Sequence, residues 1–219
     1  VRYWKGEKTI YDLGTGVIPA FRKRGITKNM LNMVQTICQD NGISRYQLEV
    51  IQENTAAVAL YKKQGFQVMR SLNCYMTERS ERKSDESRPW QIFSSKVLTP
   101  EQWVCAKSFW DYFPSWQNSM DSVCAIADSF ACILAEISGK LIGYGMINKA
   151  TGDVVQLAVK SEYRRLGAAT DIMWYLQEQT GSPEIKMLNI DERDEALNMF
   201  LKQSGFRVFV KQYEMEKKL

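Results

Sequence analysis

The amino-acid sequence predicts an α/β protein that contains two related copies of one unit. Three observations support this: strand-like and helix-like patterns alternate along the chain, a short motif recurs at a nearly constant separation, and a charged segment divides the chain. The length of 219 residues suits one large domain or two small ones. The repeat therefore favours two tandem domains.

The first copy has the order strand, helix, strand, helix, strand. An apolar pattern at helical spacing begins at Ile26, and Asn41-Gly42 supplies the helix stop. Asn54 is placed to cap the second helix and Gly65 to end it. The predicted ranges are strand 9–18, helix 26–38, strand 46–51, helix 54–63 and strand 66–76.

A segment of mixed charge, residues 78–89, follows the first copy and contains no large apolar residue. Such composition is typical of a solvated linker, although an exposed charged hairpin loop is the alternative. The predicted division is a first domain over residues 1–77, the linker over 78–89 and a second domain over 90–219.

The second copy repeats the order of the first and adds an upstream half. A strand is expected over 90–98, Thr99 and Pro100 begin a helix, and Ser138-Gly139-Lys140 joins two apolar strands as a hairpin. The other predicted ranges are strands 131–137, 141–147 and 154–159, helix 168–179, strand 185–190, a helix from 194 and strand 206–215.

The repeat itself rests on two motifs. The matched residues lie 142 positions apart for the first motif and 140 for the second: Arg22 and Gly25 with Arg164 and Gly167, then Gln64–Phe66 with Ser204–Phe206. Compared with the second copy, the first lacks about 50 residues of upstream strands and helix, if both share one plan. We therefore expect a segment missing from the first copy.

Composition excludes several kinds of chemistry. The chain has no histidine, so Ser-His-Asp and Cys-His arrangements and histidine-ligated zinc are ruled out. An acid or base must then be a carboxylate, Tyr, Cys, Lys or an ordered water. Five scattered cysteines without a C-x-x-C pair favour free thiols in a cytoplasmic protein over a disulfide framework, and we expect no metal.

The net charge and the hydropathy of the chain limit the kinds of partner that it is expected to bind. The formal charge of +4 is too small for a nucleic-acid footprint but suits an anionic small ligand. The absence of a signal peptide and of an apolar run of about 18 residues predicts a soluble protein that does not act at a membrane.

The Arg-x-x-Gly motif lies between a predicted strand and a predicted helix in both copies. Gly25 and Gly167 permit a sharp turn and close approach of a ligand, and the next helix presents free N–H groups and a positive dipole end. Together these suit a pyrophosphate. The alternative is that both glycines are ordinary turn residues.

The ordered motifs resemble the GNAT family of acetyl-CoA-dependent N-acetyltransferases, over nearly the whole chain apart from the linker. The resemblance implies in each domain a mixed, mostly antiparallel sheet flanked by helices, with acetyl-CoA as acyl donor. The residues that carry it are Val17, Pro19, Phe21, Arg22, Gly25, Ile26, Asn54, Ala57, Leu60, Tyr61, Gly65 and Phe66, then Val159, Tyr163, Arg164, Gly167, Ala169, Gly205 and Phe206.

The same resemblance implies roles for individual residues. Tyr61 would be the general acid for the departing thiolate, and direct transfer from thioester to amine needs no protein nucleophile. Asp12, the carboxylate on the preceding strand, is a weak candidate base, with an exposed strand residue as the alternative. The cofactor-binding residues would be Val17, Ile18, Arg22, Lys23, Arg24, Gly25, Ile26, Thr27 and Asn54, then Val159, Arg164, Arg165, Gly167, Ala168 and Ala169.

The second copy departs from the family pattern, because Leu201 stands in the place of Tyr61 and Asp194 in the place of Asn54. The first copy is therefore the catalytic candidate. A segment dense in aromatic residues, 103–116, is expected either to line the acceptor pocket or to pack in the core.

The leading hypothesis is an N-acetyltransferase that acts on a primary amine of a small molecule or a protein. The alternative is a non-catalytic acyl-CoA sensor or scaffold, and a nucleic-acid binder has only the small charge in its favour. Exposed strand edges in an incomplete first copy would favour a homodimer.

Overall fold

The computed structural model of the chain describes residues 2–4, 8–79 and 87–219. It divides into two compact units, of which the first comprises residues 1–72 and 210–219 and the second residues 73–209. The first unit thus takes its sequence from both ends of the chain. Most of the predicted linker 78–89, residues 80–86, lies outside the described residues.

The first unit is built on strands that flank two helices in sequence. Its elements are β1 (Arg2–Trp4), β2 (Thr9–Tyr11), α1 (Ile26–Asp40), β3 (Arg45–Ile51), α2 (Thr55–Lys63), the start of β4 (Gln67–Glu78) and, from the far end of the chain, most of β10 (Arg207–Lys218).

Strand pairing in the first unit joins residues distant in sequence. β2 pairs with β1 antiparallel and with β3 parallel, in the register Ile10 to Tyr46. β10 pairs with β3 antiparallel over 212–218, with Met215 opposite Leu48. The buried core of this unit consists of Ile10, Leu31, Cys38, Tyr46, Leu48, Val50, Val58, Tyr61, Phe66 and Met215.

The second unit contains a four-stranded antiparallel sheet in the order β5-β6-β7-β8, and in it β9 lies beside the end of β4. Its elements are β5 (Gln91–Ser95), α3 (Pro100–Lys107), α4 (Met120–Cys124), β6 (Phe130–Ile137), β7 (Lys140–Asn148), β8 (Val154–Val159), α5 (Ala168–Gln177), β9 (Glu184–Asp191) and α6 (Glu195–Gln203).

Helix α5 packs closely on this sheet because β7 carries glycines where it passes. A Cβ on Gly145 would lie 2.6 Å from Leu176 Cδ1, and a Cβ on Gly143 would lie 2.9 Å from Ile172 Cδ1. Ile172 and Leu176 are fully buried as a result. This packing fixes the start of α5 relative to the end of β8, where the Arg-x-x-Gly motif lies.

Strands β8 and β9 run side by side only at their beginnings, where Asp153 and Lys186 form a parallel bridge. Further along, residues of both strands line one pocket. The two strands therefore diverge towards their carboxyl ends and leave a cleft between them.

The predicted helices and strands are largely confirmed, including the cap of α2 by Asn54 and the capping box of α3 at Thr99. Ends differ by a few residues, as for β5 at 91–95 instead of 90–98. The strand predicted over 9–18 is wrong, since β2 ends at Tyr11. The reason is Asp12, whose carboxylate accepts hydrogen bonds from Gly14 N and Thr15 Oγ1 and so turns the backbone out of the strand.

Within the described ranges, no helix combines the length and the apolar character needed to cross a membrane.

Candidate functional site

The first Arg-x-x-Gly loop connects β2 to α1 through a short turn at Pro19–Phe21. Arg22 Nε donates a hydrogen bond to the Val17 carbonyl at 3.0 Å, which closes this turn. Lys23 and Gly25 both have positive φ, 62° and 74°, and Gly25 is the N-cap of α1. Because glycine has no side chain, the N-cap of α1 offers no side-chain acceptor to the first N–H groups of the helix, which an anion could bind.

The second loop, between β8 and α5, is built in the same way. Arg164 Nε donates to the Val159 carbonyl at 2.9 Å after a short turn at Ser161–Tyr163. Arg165 and Gly167 have φ values of 61° and 101°, and Gly167 is the N-cap of α5. The sequence repeat is thus also a repeat of backbone geometry.

The side chain of Arg164 acts within the protein. Its guanidinium donates to both carboxylate oxygens of Asp111 (2.6 and 3.2 Å) and to the Phe109 carbonyl (2.8 Å), besides the bond to Val159. Arg164 therefore ties the loop to the aromatic segment after α3. Arg164 and the exposed Arg165 both line the pocket of the second unit.

A large pocket of about 1320 Å³ lies in the second unit, in the cleft between β8 and β9. The loop at Arg165 and Gly167 forms one side of it, and the first turn of α6, with Asp194, forms another. The aromatic segment completes the wall through Trp110, Tyr112 and Phe113. This volume is above the range of about 300–1,000 Å³ that is typical of small-molecule sites.

The aromatic segment is divided between the core and the wall of this pocket. Trp103 and Trp116 are buried, at 6% exposure each, whereas Phe113 is 77% exposed at the pocket. Trp110 is fixed by a hydrogen bond from its Nε1 to the Tyr144 hydroxyl, at 2.7 Å. Part of the segment is thus core and part is a pocket wall.

Charged side chains pair along the pocket. Arg193 donates to both carboxylate oxygens of Asp191, at 3.0 and 2.8 Å, and its guanidinium lies 4.9 Å from the ring centre of Tyr112. Among the described residues, no group of three or more Cys, Asp or Glu side chains is arranged to hold a metal ion.

In the first unit the structure brings together the two predicted catalytic residues. Asp12 is buried, at 7% exposure, and not an exposed strand residue. Its carboxylate accepts hydrogen bonds from Gly14 N (3.0 Å), Thr15 Oγ1 (2.6 Å) and the Tyr46 hydroxyl (3.3 Å). These donors hold the carboxylate in one orientation where β2 leaves the sheet.

Tyr61 lies on α2 in the same core, 8% exposed, with its ring edge-on to Phe66. Burial raises the pKa of Tyr61 and the negative charge of Asp12 raises it further, while a hydrogen bond with the Thr15 side chain acts in the opposite direction. A phenol with a raised pKa keeps its proton at neutral pH, which a proton donor requires.

The corresponding positions of the second unit differ in chemistry. Leu201 is fully buried in the core. Asp194 caps α6 by accepting a hydrogen bond from Leu197 N at 3.0 Å. Burial raises the pKa of Asp194, the Leu197 N–H lowers it, and Asp111 raises it while Arg164 lowers it. The second unit therefore combines a large pocket with no tyrosine in this place.

Sequence reasoning missed three contributors: Thr15 and Tyr46, which hold Asp12, and Arg88, which contacts the second loop. The spacing Asp-x-Gly-Thr is a recognisable Asx-turn signal that could have ended β2 at Asp12. Tyr46 and Arg88 are placed by tertiary packing, and their sequence positions carry no such signal.

A strand–loop–helix arrangement with a glycine at the start of the helix, called the cradle below, is present in both units, and in the second unit it lies at the side of the pocket between β8 and β9. The sequence model of the acetyltransferase (GNAT) family matches residues 1–66 and 97–206. Because these segments make up more than half of the chain, the protein belongs to the GNAT acetyltransferase family.

Solved structures show the same fold at low sequence identity. A GCN5-related N-acetyltransferase from Sphaerobacter thermophilus is 16% identical with a TM-score of 0.68, and the match covers 96% of this chain and 72% of that one. A tandem GNAT protein from the clavulanic acid biosynthesis pathway, solved without AcCoA, is 12% identical with a TM-score of 0.72, covering 97% and 76%. A protein of unknown function from Staphylococcus epidermidis is 15% identical with a TM-score of 0.62, covering 87% and 79%.

Proposed function

We propose that this protein is an acetyl-CoA-dependent N-acetyltransferase that transfers acetyl directly from the thioester to a primary amine. The observation that carries the proposal is the buried Asp12–Tyr61 pair beside the first cradle, in a chain of the GNAT family. It supplies one group that can take up a proton and one that can donate a proton, without histidine.

The residues that would hold the cofactor are the two loops and the strand ends before them. In the first unit these are Val17, Ile18 and the loop Arg22–Thr27, whose outward N–H groups suit the pyrophosphate. In the second unit they are Val159, Arg164, Arg165, Gly167 and Ala169, which line the pocket, and Ala168, which is buried at the start of α5.

Acetyl-CoA would supply the acyl group as a thioester. In the first unit the Asp12 carboxylate takes up the proton that the acceptor ammonium loses, directly or through water. As the carbon–nitrogen bond forms and the carbon–sulfur bond breaks, the Tyr61 hydroxyl donates its proton to the departing sulfur. The second proton that the nitrogen loses on becoming an amide returns to the Tyr61 oxygen through water, and Asp12 releases its proton to solvent. Thr15 and Tyr46 keep the carboxylate in place through this exchange.

We further propose a tandem arrangement in which the first domain is incomplete. Both units carry the same loop geometry, but α1 leaves Met30, Met33 and Ile37 exposed, at 41%, 67% and 49%. At the place of Met30 in α5, Ile172 is fully buried against β7. We expect further strands to cover this apolar face of α1. The intact mass of the protein from its natural source tests this expectation.

The acceptor, a small-molecule or protein amine, the cytoplasmic location and a homodimer stay predictions.

The test is release of CoA thiol on mixing the protein with acetyl-CoA and a panel of amines. Tyr61→Phe is expected to lower kcat by about 10²-fold or more, the usual contribution of a positioned acid, with little change in acetyl-CoA affinity. Cys124 is exposed, so the thiol reagent needs a blank without amine.

A pH profile provides the second measurement. Because Tyr61 must be protonated to act and its pKa is raised, activity should persist to higher pH than a tyrosine of ordinary pKa, about 10, would allow. The fall in activity at high pH that ionisation of Tyr61 causes should be absent in Tyr61→Phe, whose residual activity has no phenol to lose a proton. Leu201→Ala is the matched control on α6, expected to leave the profile unchanged; equal turnover of Tyr61→Phe and the parent protein would exclude Tyr61 as the acid.

A non-catalytic acyl-CoA sensor is the second candidate function. It is favoured by the buried Leu201 and by Asp194 in the unit that has the large pocket. It predicts acetyl-CoA binding by calorimetry without turnover on any amine.

A further inference from the structure

We propose that Arg88 is a positioning residue for the phosphate-binding loop of the second unit: it holds the Leu166 carbonyl so that the Gly167 N–H faces the pocket. This rests on the proposed binding of acetyl-CoA at that loop. Arg88 belongs to neither of the repeated motifs and comes from the segment before β5.

The contact is direct. Arg88 Nη1 donates a hydrogen bond to the Leu166 carbonyl at 2.8 Å. The same nitrogen lies 1.1 Å from the place where a Cβ on Gly167 would be. The φ of 101° favours glycine at this position, and the Arg88 guanidinium occupies the space that a side chain on residue 167 would take.

The orientation of the Gly167 N–H follows from peptide geometry. The Leu166 carbonyl and the Gly167 N–H belong to one trans peptide and point in opposite directions. Gly167 lines the pocket, whereas Arg88 is not among the described residues that line it. A carbonyl held towards Arg88 therefore turns the N–H away from Arg88 and towards the pocket.

Arg88 is itself fixed by two neighbours. Its Nε lies 3.6 Å from Asp171 Oδ2, and its guanidinium lies 5.5 Å from the ring centre of Trp90. Trp90 Nε1 donates to the same carboxylate oxygen at 2.9 Å. The Asp171 carboxylate, only 3% exposed, lies in the first turn of α5, and the cation offsets a charge that would otherwise repel a phosphate.

The first unit provides the comparison. Asn29, which is neutral, stands at the place of Asp171, and among the described residues no atom lies within 4 Å of a Cβ on Gly25 beyond its own neighbours. Asp171 and Arg88 thus occur together at the second loop, whereas the described residues around the first loop show neither an acid at the matching position nor an arginine against Gly25.

The experiment is hydrogen exchange measured by mass spectrometry during titration with acetyl-CoA. It reports peptides 164–170 and 22–28 separately, so the first loop is an internal control. Arg88→Ala should raise the acetyl-CoA concentration that half-protects 164–170 by about tenfold, the usual effect of losing a hydrogen bond from a charged donor, and leave 22–28 unchanged.

Three further arms separate positioning from general loss of structure. Protection of 164–170 by S-acetylpantetheine, which has no phosphate, should be the same in Arg88→Ala and the parent protein. Arg88→Lys, which keeps a donor for the carbonyl, should recover most of the affinity. Trp90→Phe, which keeps Arg88, should shift the midpoint less than about threefold.

An unchanged midpoint in Arg88→Ala would overturn the proposal. So would equal losses for acetyl-CoA and S-acetylpantetheine, or equal losses in Arg88→Ala and Trp90→Phe. If acetyl-CoA protects neither loop of the parent protein, the proposed function fails together with this inference; if it protects both loops equally in every variant, the inference alone fails.

Discussion

Tyr61 and Leu201 occupy the same place on two helices of the same design, yet one is a buried phenol and the other a buried hydrocarbon. The backbone around them is alike: Phe66 N and Phe206 N donate to the carbonyls of Tyr61 and Leu201, both at 3.0 Å. At this place the first unit therefore carries a hydroxyl group and the second unit carries none. Both side chains pack in a core, so burial alone does not tell them apart.

Asp194 carries a prediction at the same scale. Because burial raises its pKa in the folded protein, Asp194 favours folding below the pKa of about 3.9 of an unfolded aspartate, and this contribution is lost as pH rises through the folded value. Asp194→Asn removes the buried charge and keeps the cap, as Asn54 shows in the first unit. We expect a Tm higher by up to about 2 °C at pH 7.

Thermal unfolding at pH 7 and pH 3 measures this. The gain should disappear at pH 3, where the aspartate is protonated in both states. Asp194→Ala is the control that also loses the cap, and it should be less stable than Asp194→Asn at both pH values. A gain that is larger at pH 3 than at pH 7 would contradict the assignment.

At the scale of elements, each cradle depends on how its strand ends and its helix begins. β2 ends because Asp12 bonds to Gly14 and Thr15, and α1 begins at a glycine with positive φ. These are local effects, which is why the motif could be read as a cradle from the sequence. The divergence of β8 from β9 is not local. It depends on the strand order, which places β8 at the edge of one sheet and β9 at the edge of another, joined by the bridge at Asp153 and Lys186.

Helix α3 offers a test of an element that supports the pocket wall. Thr99 Oγ1 accepts from Gln102 N at 3.2 Å, and Gln102 Oε1 accepts from Thr99 N at 2.9 Å, a complete capping box. Thr99→Ala should cost about 1 kcal/mol and lower Tm by about 2–4 °C. Gln102→Ala, which removes one arm only, should cost less in the same melting experiment; a larger loss for Gln102→Ala would contradict the box.

At the scale of the whole molecule, the units do not follow the order of the sequence. The predicted division by sequence is 1–77, 78–89 and 90–219; by compactness, residues 210–219 group with residues 1–72. Met215, fully buried there, packs in the same core as Tyr61, and Arg70 binds Glu214 through two hydrogen bonds of 3.0 and 2.8 Å. The last strand of the chain thus completes the unit that carries the proposed catalytic pair.

Met215→Ala tests this arrangement. It should destabilise the first unit by about 3 kcal/mol, as for a buried methionine, and lower Tyr61-dependent turnover on warming before acetyl-CoA protection of 164–170 is lost. Met187→Ala is the matched control, because Met187 is 1% exposed in the core of the second unit and lines its pocket. Met187→Ala should lose acetyl-CoA protection of 164–170 before it loses Tyr61-dependent turnover. Loss of turnover and protection at the same temperature in both variants would contradict this and show that the units unfold together.

The sequence by itself determined the α/β class, the two strand–loop–helix cradles, the caps at Asn54 and Thr99, and the contrast between a tyrosine at position 61 and a leucine at the matching position 201. These depend on residue type and short spacing, which act within one or two turns of chain. Only the tertiary structure decided that β10 completes the first unit, that Tyr46 holds Asp12, and that Arg88 reaches Leu166. Such contacts join residues 34, 78 or more positions apart, and packing of the whole fold selects them among many equally plausible partners.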